Sequence, residues 1–561
     1  MLKRAVLFFG VCFATVAWAG PRTAVHPLPS AHIPGMAITA MQKINPERIR
    51  AHVRFLSHDL LEGRGTGQRG GDIAAEYIAT QFALYGLKPA GDNGTYMQKV
   101  PLVGVTTLPE TTFSFVPERG PATDLKPLDD YVAFDETQEP QSDVDAQIVY
   151  VGYGIVAPEY RWDDYKGVDV RGKVLLMLVN EPPSDDPNFF KGRALTYYGR
   201  WTYKYEEAAR KGAVGVILIH QTNMASYPWE VVRNSNSGEK SYLKAEGPQL
   251  KVASWVQWDV ARQMTANAGL DLDKMLMDAR SPSFQPVPLP TKLKAHMVSK
   301  IRPFESNNVI AMLPGSDPKL RGQAVMYTAH YDHLGIRPDM PGDNIYNGAD
   351  DNATGCGILL ELARAYSLAV KHPARSIIFA SVTAEEQGLL GSEYLGEHPP
   401  IPAGEITLDL NYDDLPPLGA PEEVEVSGAE RTTFFPQVQA TANEFRMAIR
   451  PDSHPEAGYY YRSDHFSLAR VGIPAFSVSE GLKYKGHDEA WGMRQADEYT
   501  SKRYHQPSDE YRPSMDFVGD AAMARFGFAL GWEAASLPHL IGWQKGDEFE
   551  AARVQNMTDR K

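Results

Sequence analysis

Residues 325–333 read Val-Met-Tyr-Thr-Ala-His-Tyr-Asp-His. A short apolar run, Val325 to Ala329, ends in His330 and turns polar at once. Its length is that of a buried strand rather than a helix. The arrangement returns downstream. Ser376 to Val382 reads as a buried strand leading into Glu385 and Glu386, and Ile406 to Asn411 as another leading into Asp413. Ile473 to Val478 is a further one. Between the first two, Ile358 to Tyr366 carries its apolar residues on one helical face. Strands alternating with helices predict an α/β fold, a mixed central sheet flanked by helices. The histidine and carboxylates fall just past strand ends, where open α/β sheets place their sites.

Upstream, Arg48 to Leu56 has helical apolar spacing at Ile49, Val53 and Leu56, and Ile73 to Leu84 is a second amphipathic run closed by Gly86. The glycine-rich loop Glu62 to Gly67 lacks the Lys-Ser/Thr of a phosphate-binding loop and reads as a turn with a structural Arg64. From about Pro101 to Pro290 the texture is β-rich, with strand patterns at Gln147 to Val151 and Lys173 to Val179. One helix-then-strand unit stands out, Tyr205 to Lys211 followed by Val214 to Ile219. This predicts a separate domain at 101–295, inserted between 20–100 and 296–545, with a polar tail at 546–561 expected to fray.

The chain of 561 residues is too long for one ordinary core. Its net charge of −14 argues against nucleic-acid or anionic-membrane partners. Lys3 and Arg4, the apolar run Ala5 to Val16 and the small-x-small site Ala17-Trp18-Ala19 predict an export leader at 1–19, hence a periplasmic or extracellular protein. No later stretch is long and apolar enough for membrane insertion. Removing the leader takes Cys12 with it and leaves Cys356, which cannot form an internal disulfide and is expected to be a buried, inert thiol.

The segments that carry chemistry are Ala329 to His333, Gly348 to Asn352, Ala384 to Gly388, Asn411 to Asp413 and Tyr504 to Pro507. Each alone is unremarkable: a strand-end histidine is commonly structural, and Glu385-Glu386 or Asp350-Asp351 suits a solvated turn or a helix cap. Together they fit a two-metal hydrolase. Zinc accepts imidazole nitrogen and carboxylate oxygen, two ions about 3.5–4 Å apart call for a bridging carboxylate, and hydrolysis needs a base that is not itself a ligand. No Gly-x-Ser-x-Gly elbow supports a serine hydrolase.

In this order, AHYDHLG, NGADDNATG, TAEEQGLLGSEY, NYDDL, RSDHF and YHQPSDEY resemble the M28 family of co-catalytic zinc aminopeptidases, and FLSHDLLEGRGTG resembles the family's opening. DVRGKVLLMLV and YEEAARKGAVGVILI give 101–295 a resemblance to a protease-associated (PA) domain. The resemblance implies a zinc-exopeptidase-like fold that removes N-terminal residues from peptides with a free N-terminus, using two Zn2+ per chain. His330 and Asp413 would hold one ion, Glu386 and His505 the other, and Asp351 would bridge. Glu385 would be the general base. Asp332 would accept the ring N–H of His330, and Asp464 would be a further supporting carboxylate. Asp409 is the second choice for the position given to Asp413, because Asp414 replaces the family's usual apolar residue. The Asp351–Asn352 peptide is expected to be cis. Tyr460 and Tyr504 compete as donor to the oxyanion. His333, His454, His465 and His487 are expected to be structural or substrate-facing. The aromatic loop Tyr197 to Trp201 either lines the cleft or anchors the insert. Competing readings are a carboxypeptidase of the same fold, with Arg462, Lys483 and Lys485 as its basic cluster, and a non-catalytic binding homologue.

Overall fold

The computed structural model describes residues 33–559, apart from 245, 246 and 339; the leader expected at 1–19 lies outside the described residues. Strands Ala475–Ser477, Ile406–Asn411, Ala324–His330 and Ser376–Val382 lie side by side in that order and run parallel. Ser376–Val382 then pairs antiparallel with the end of the long strand Val287–Leu313, so the sheet is mixed. Along Ala324–His330 the side chains alternate between two cores. Val325, Tyr327 and Ala329 face the helices Pro46–Leu56, Thr354–Ser367 and Val518–Ser536. Ala324 and Met326 face the helices Leu390–Glu397 and His465–Arg470. With both faces covered, parallel strands must be apolar throughout, which is why these runs are legible in the sequence.

Order along the chain explains where a site can form. From Ala324–His330 the chain crosses through Thr354–Ser367 to Ser376–Val382 on one side, then through Leu390–Glu397 to Ile406–Asn411 on the other. His330 therefore ends the strand at which the winding reverses, where the connecting helices diverge and leave a crevice.

The segment between the two parts of this domain carries its own parallel strands, Gln141–Tyr150, Val174–Leu178, Gly215–His220 and Val252–Gln257. It is more helical than its sequence texture suggests. Besides Trp201–Arg210 it contains Trp258–Asn267 and Leu272–Ala279, whose Ala261, Met264, Leu272 and Met275 complete its core. Strand Met97–Thr107 pairs with residues 299–309 of Val287–Leu313, and the earlier part of that long strand pairs with Gln141–Tyr150, so one continuous sheet joins insert to domain. The C-terminal tail does not fray as expected. Glu550–Asp559 is a helix, Arg553 is buried and donates to the carbonyls of Ala403, Ile406 and Ile541, and Phe549 joins an aromatic cluster with Trp543 and Tyr460. Those two anchors are isolated in a polar sequence and leave no periodic signal. Among the described residues no helix is long and apolar enough to cross a membrane.

Candidate active site

The loop after Tyr346 presents the aspartate pair, and its shape is fixed by backbone hydrogen bonding. Gly348 has φ of +57°, and a Cβ there would lie 2.2 Å from the Asp351 carbonyl oxygen, so only glycine fits the turn. Arg64, fully buried, donates to the carbonyls of Leu56 (2.7 Å), Tyr331 (2.7 Å), Asn347 (2.5 Å) and Gly348 (2.9 Å). It ties the opening turn to both metal-side loops, as its reading as a structural arginine anticipates. The Asp509 carboxylate accepts from the backbone N–H groups of Asp350 and Asp351, the latter at 3.1 Å. Asn352 Oδ1 accepts from Gly355 N at 3.0 Å, so Asn352 rather than either aspartate caps the following helix. Asp350 instead pairs with Arg503 at 3.1 Å. The Asp351–Asn352 peptide is cis.

On this frame Asp351 faces two histidines at once. Its Oδ1 lies 3.3 Å from His330 Nε2 and its Oδ2 3.4 Å from His505 Nε2. His330 Nε2 is also 3.0 Å from Asp413 Oδ1, and His505 Nε2 is 3.0 Å from Glu386 Oε2. The structure thus brings His330, Asp351, Asp413, Glu386 and His505 together. Asp409 lies elsewhere: it is fully buried and accepts from Thr328 Oγ1. Glu385 and Glu386 diverge from adjacent positions, Glu385 Oε2 lying 4.0 Å from His330 Nε2 on the other side of the cluster from Glu386. Ala384 and His505 both take positive φ (55°), a conformation non-glycine residues seldom adopt outside tightly determined sites.

Electrostatics tests whether these residues suit metal ions. Burial disfavours charge on His330, yet Asp413 and Glu385 outweigh burial and hold it well above the ordinary imidazole range. Burial likewise opposes the charge on Asp351, but hydrogen bonds from His330 and His505 outweigh it and hold that carboxyl well below its usual range. Glu385, for which burial dominates, is pushed well up. The carboxylates thus demand positive charge between them, and a pair of dications meets that demand while leaving both rings neutral. Donor atoms of His330, Asp351 and Asp413 lie within 4.8 Å of one another, as do those of His333, Asp351 and Glu386. Imidazole nitrogen with carboxylate oxygen is a zinc donor set, so these residues fit, with His333 rather than His505 in the second group.

Several expectations need correction. Asp332 does not hold His330 through its carboxylate: His330 Nδ1 is 3.2 Å from the Asp332 carbonyl oxygen and 3.9 Å from Oδ1. The carboxylate instead accepts from Thr66 Oγ1 (2.9 Å) and from Glu385 N (3.1 Å), anchoring the backbone of Glu385. The part given to Asp464 falls to its neighbour. Ser463 Oγ donates to Asp413 Oδ2 at 2.5 Å and accepts from Asn411 Nδ2 at 2.7 Å, whereas Asp464 is buried with no hydrogen bond to a ligand histidine among the described residues. Tyr460 is not poised over the cluster. Its hydroxyl donates to the Ala475 carbonyl at 3.2 Å, and its ring is packed among Tyr461, Phe549 and the Arg431 guanidinium. Tyr504 stacks on the His505 ring with centroids 4.0 Å apart, and its hydroxyl makes no hydrogen bond within the protein among the described residues. His333 is closer to the chemistry than expected: its Nδ1 makes a very short contact with Glu386 Oε1 and lies 3.9 Å from Asp351 Oδ2. The others are as read: His454 is half exposed beside Glu456, His465 is buried against Tyr460, and His487 stacks on Trp491. Tyr197 packs on Phe466 at 5.0 Å, so the aromatic loop anchors the insert. Cys356 is buried, and burial pushes its thiol up to about 11.

Parallel strands ending in two facing histidine–carboxylate clusters define the class: an α/β domain with a candidate metal centre at a topological switch point. Residues 308–525 match the sequence model of peptidase family M28. The aminopeptidase from Aneurinibacillus sp. strain AM-1 is similar in fold, with a TM-score of 0.52 and 19% identity over 90% of this chain and 97% of that one. The leupeptin-inactivating enzyme 1 of Streptomyces exfoliatus is 26% identical over 257 residues, 45% of this chain and 53% of the relative. A probable zinc metalloprotease of Pyrenophora tritici-repentis is 39% identical over 100 residues, 17% of this chain and 19% of the relative. The chain thus spans about half or less of the length of these last two relatives.

Proposed function

We propose that this chain is an exported aminopeptidase that binds two zinc ions and hydrolyses the N-terminal peptide bond of peptides. The observation that carries the reading is the bridging pose of Asp351, one oxygen toward His330 and the other toward His505. When bound, a zinc pair supplies Lewis-acid polarisation of the scissile carbonyl and acidifies the attacking water. Glu385, lifted by burial and lying off both ligand pairs, takes the water's proton and returns it to the leaving amine. Asp332 fixes the backbone from which Glu385 projects. The Tyr504 hydroxyl is the available donor to the developing oxyanion, since that of Tyr460 is engaged. The PA-like insert covers the His505 side of the cleft.

The basic residues a carboxypeptidase would need do not support that alternative. Lys483 pairs with Glu422 at 3.1 Å, Lys485 is exposed, and Arg462 Nη2 donates to the Ala225 carbonyl. Carboxylates crowd the candidate cleft and favour a substrate ammonium over a carboxylate. The test is hydrolysis of free and N-acetylated peptides, each with and without a zinc chelator. The expected result is chelator-sensitive release of N-terminal residues, abolished by acetylation. Release of C-terminal residues from acetylated peptides would replace the aminopeptidase reading with the carboxypeptidase one.

A further inference from the structure

The two candidate ligand histidines are held in different ways. A histidine that offers Nε2 to a metal carries its proton on Nδ1, and that N–H needs an acceptor which fixes tautomer and ring orientation. For His330 the acceptor is close in sequence, the carbonyl of Asp332. For His505 the partner comes from the insert: Ser235 Oγ lies 2.8 Å from Nδ1.

The contact belongs to a built seam. Ser235 ends the helix Trp229–Ser235, and its neighbour Asn234, buried, donates from Nδ2 to the His505 carbonyl and to Gln506 Oε1, each at 3.1 Å. The backbone so clamped is the one at which His505 takes φ of 55°. From the domain side, Arg337 Nη2 reaches the Asn234 carbonyl at 3.4 Å. Nearby, Ser241 N donates to Gln387 Oε1 at 2.9 Å, next to Glu386. The insert thus reaches both members of the His505–Glu386 pair, His505 directly and Glu386 through its neighbour Gln387.

We infer that Ser235 is a positioning residue of the metal centre: its Oγ accepts the Nδ1–H of His505 and keeps Nε2 aimed at the ion, so the centre is completed by the insert. This rests on the reading of His505 as a metal ligand. The insert is then more than a cover over the cleft, because displacing it would loosen one of the two ions.

The experiment is zinc binding to the full chain, measured by competition with a chromophoric chelator, for the wild type, Ser235→Ala, Ser235→Thr, His505→Ala and the double variant Ser235→Ala/His505→Ala. Loss of a partner that orients a metal ligand weakens metal binding by about 10- to 100-fold. The expected result is a loss of that size for one ion only in Ser235→Ala, recovery to within a few-fold in Ser235→Thr, and no further loss when Ser235→Ala is added to His505→Ala. Wild-type affinity for both ions in Ser235→Ala overturns the inference and leaves the two-zinc reading standing. An additive loss in the double variant also overturns it, by showing that Ser235 acts other than through His505. Absence of zinc binding in the wild type overturns both.

Discussion

Two of the regions that bury ionisable groups differ in form, and one of them has the form of a reaction centre. In the insert, Glu181, Lys204 and Asp164 lie together, with burial pushing Glu181 up to about 8 and Lys204 down. Each has a protein partner: Glu181 accepts from Thr196, Lys204 donates to the Asn180 carbonyl, and Asp164 accepts from Ile155 N. At the strand ends of the α/β domain the same kinds of group face one another across a shared space, and Asp351 divides its oxygens between two histidines. A perturbed pKa marks burial in both places. What distinguishes the site is convergence of donor atoms at the point where the sheet's winding reverses.

The sharpest way to break this contrast is to neutralise one acid in each region. Glu385→Gln is expected to lower kcat by about 10³-fold with zinc content unchanged, the scale of losing a general base; Glu181→Gln should leave kcat unaltered. Steady-state kinetics with metal analysis decides, and equal turnover in Glu385→Gln would remove it as the base. A smaller effect separates the tyrosines. Tyr504→Phe should lower kcat by about 10²-fold through loss of an oxyanion donor. Tyr460→Phe should leave kcat alone and cost about 1 kcal/mol of stability, measured by denaturant unfolding, for the lost bond to Ala475.

The smallest effect concerns pH and the insert. Glu181 keeps its proton to about pH 8 when folded, against about 4.5 ordinarily. Between these values the unfolded chain binds fewer protons than the folded one, so stability falls as pH rises through the window and levels off above it. Glu181→Gln should remove that component, worth up to about 1.4 kcal/mol per pH unit. Unfolding curves from pH 4 to 9 should therefore diverge in favour of the variant as pH rises; parallel curves would refute the shift.

Much of the α/β domain is legible in the sequence because parallel strands covered on both faces must be apolar. The patterns at 376–382 and 406–411 coincide with the observed strands, and the ligands follow them directly. The unreadable parts are contacts between distant segments. Ser235 and His505 are 270 residues apart, and neither Asp509 beneath the aspartate loop nor His333 against Glu386 lies in a local pattern that assigns its partner. The choice between Tyr460 and Tyr504 was equally closed to sequence, since both sit beside motifs and only packing shows which hydroxyl is engaged. Asp332 illustrates a subtler limit: spacing places it beside His330, but which of its oxygens meets the ring depends on the backbone turn.

The most direct test is the zinc content of the dialysed full chain and of its Asp351→Asn variant, by mass spectrometry of the metal. The expected result is two ions per chain in the wild type and a clear loss in the variant, because Asp351 would serve both ions of the proposed pair. One ion per chain in the wild type, or an unchanged content in Asp351→Asn, would contradict a bridged pair at these strand ends.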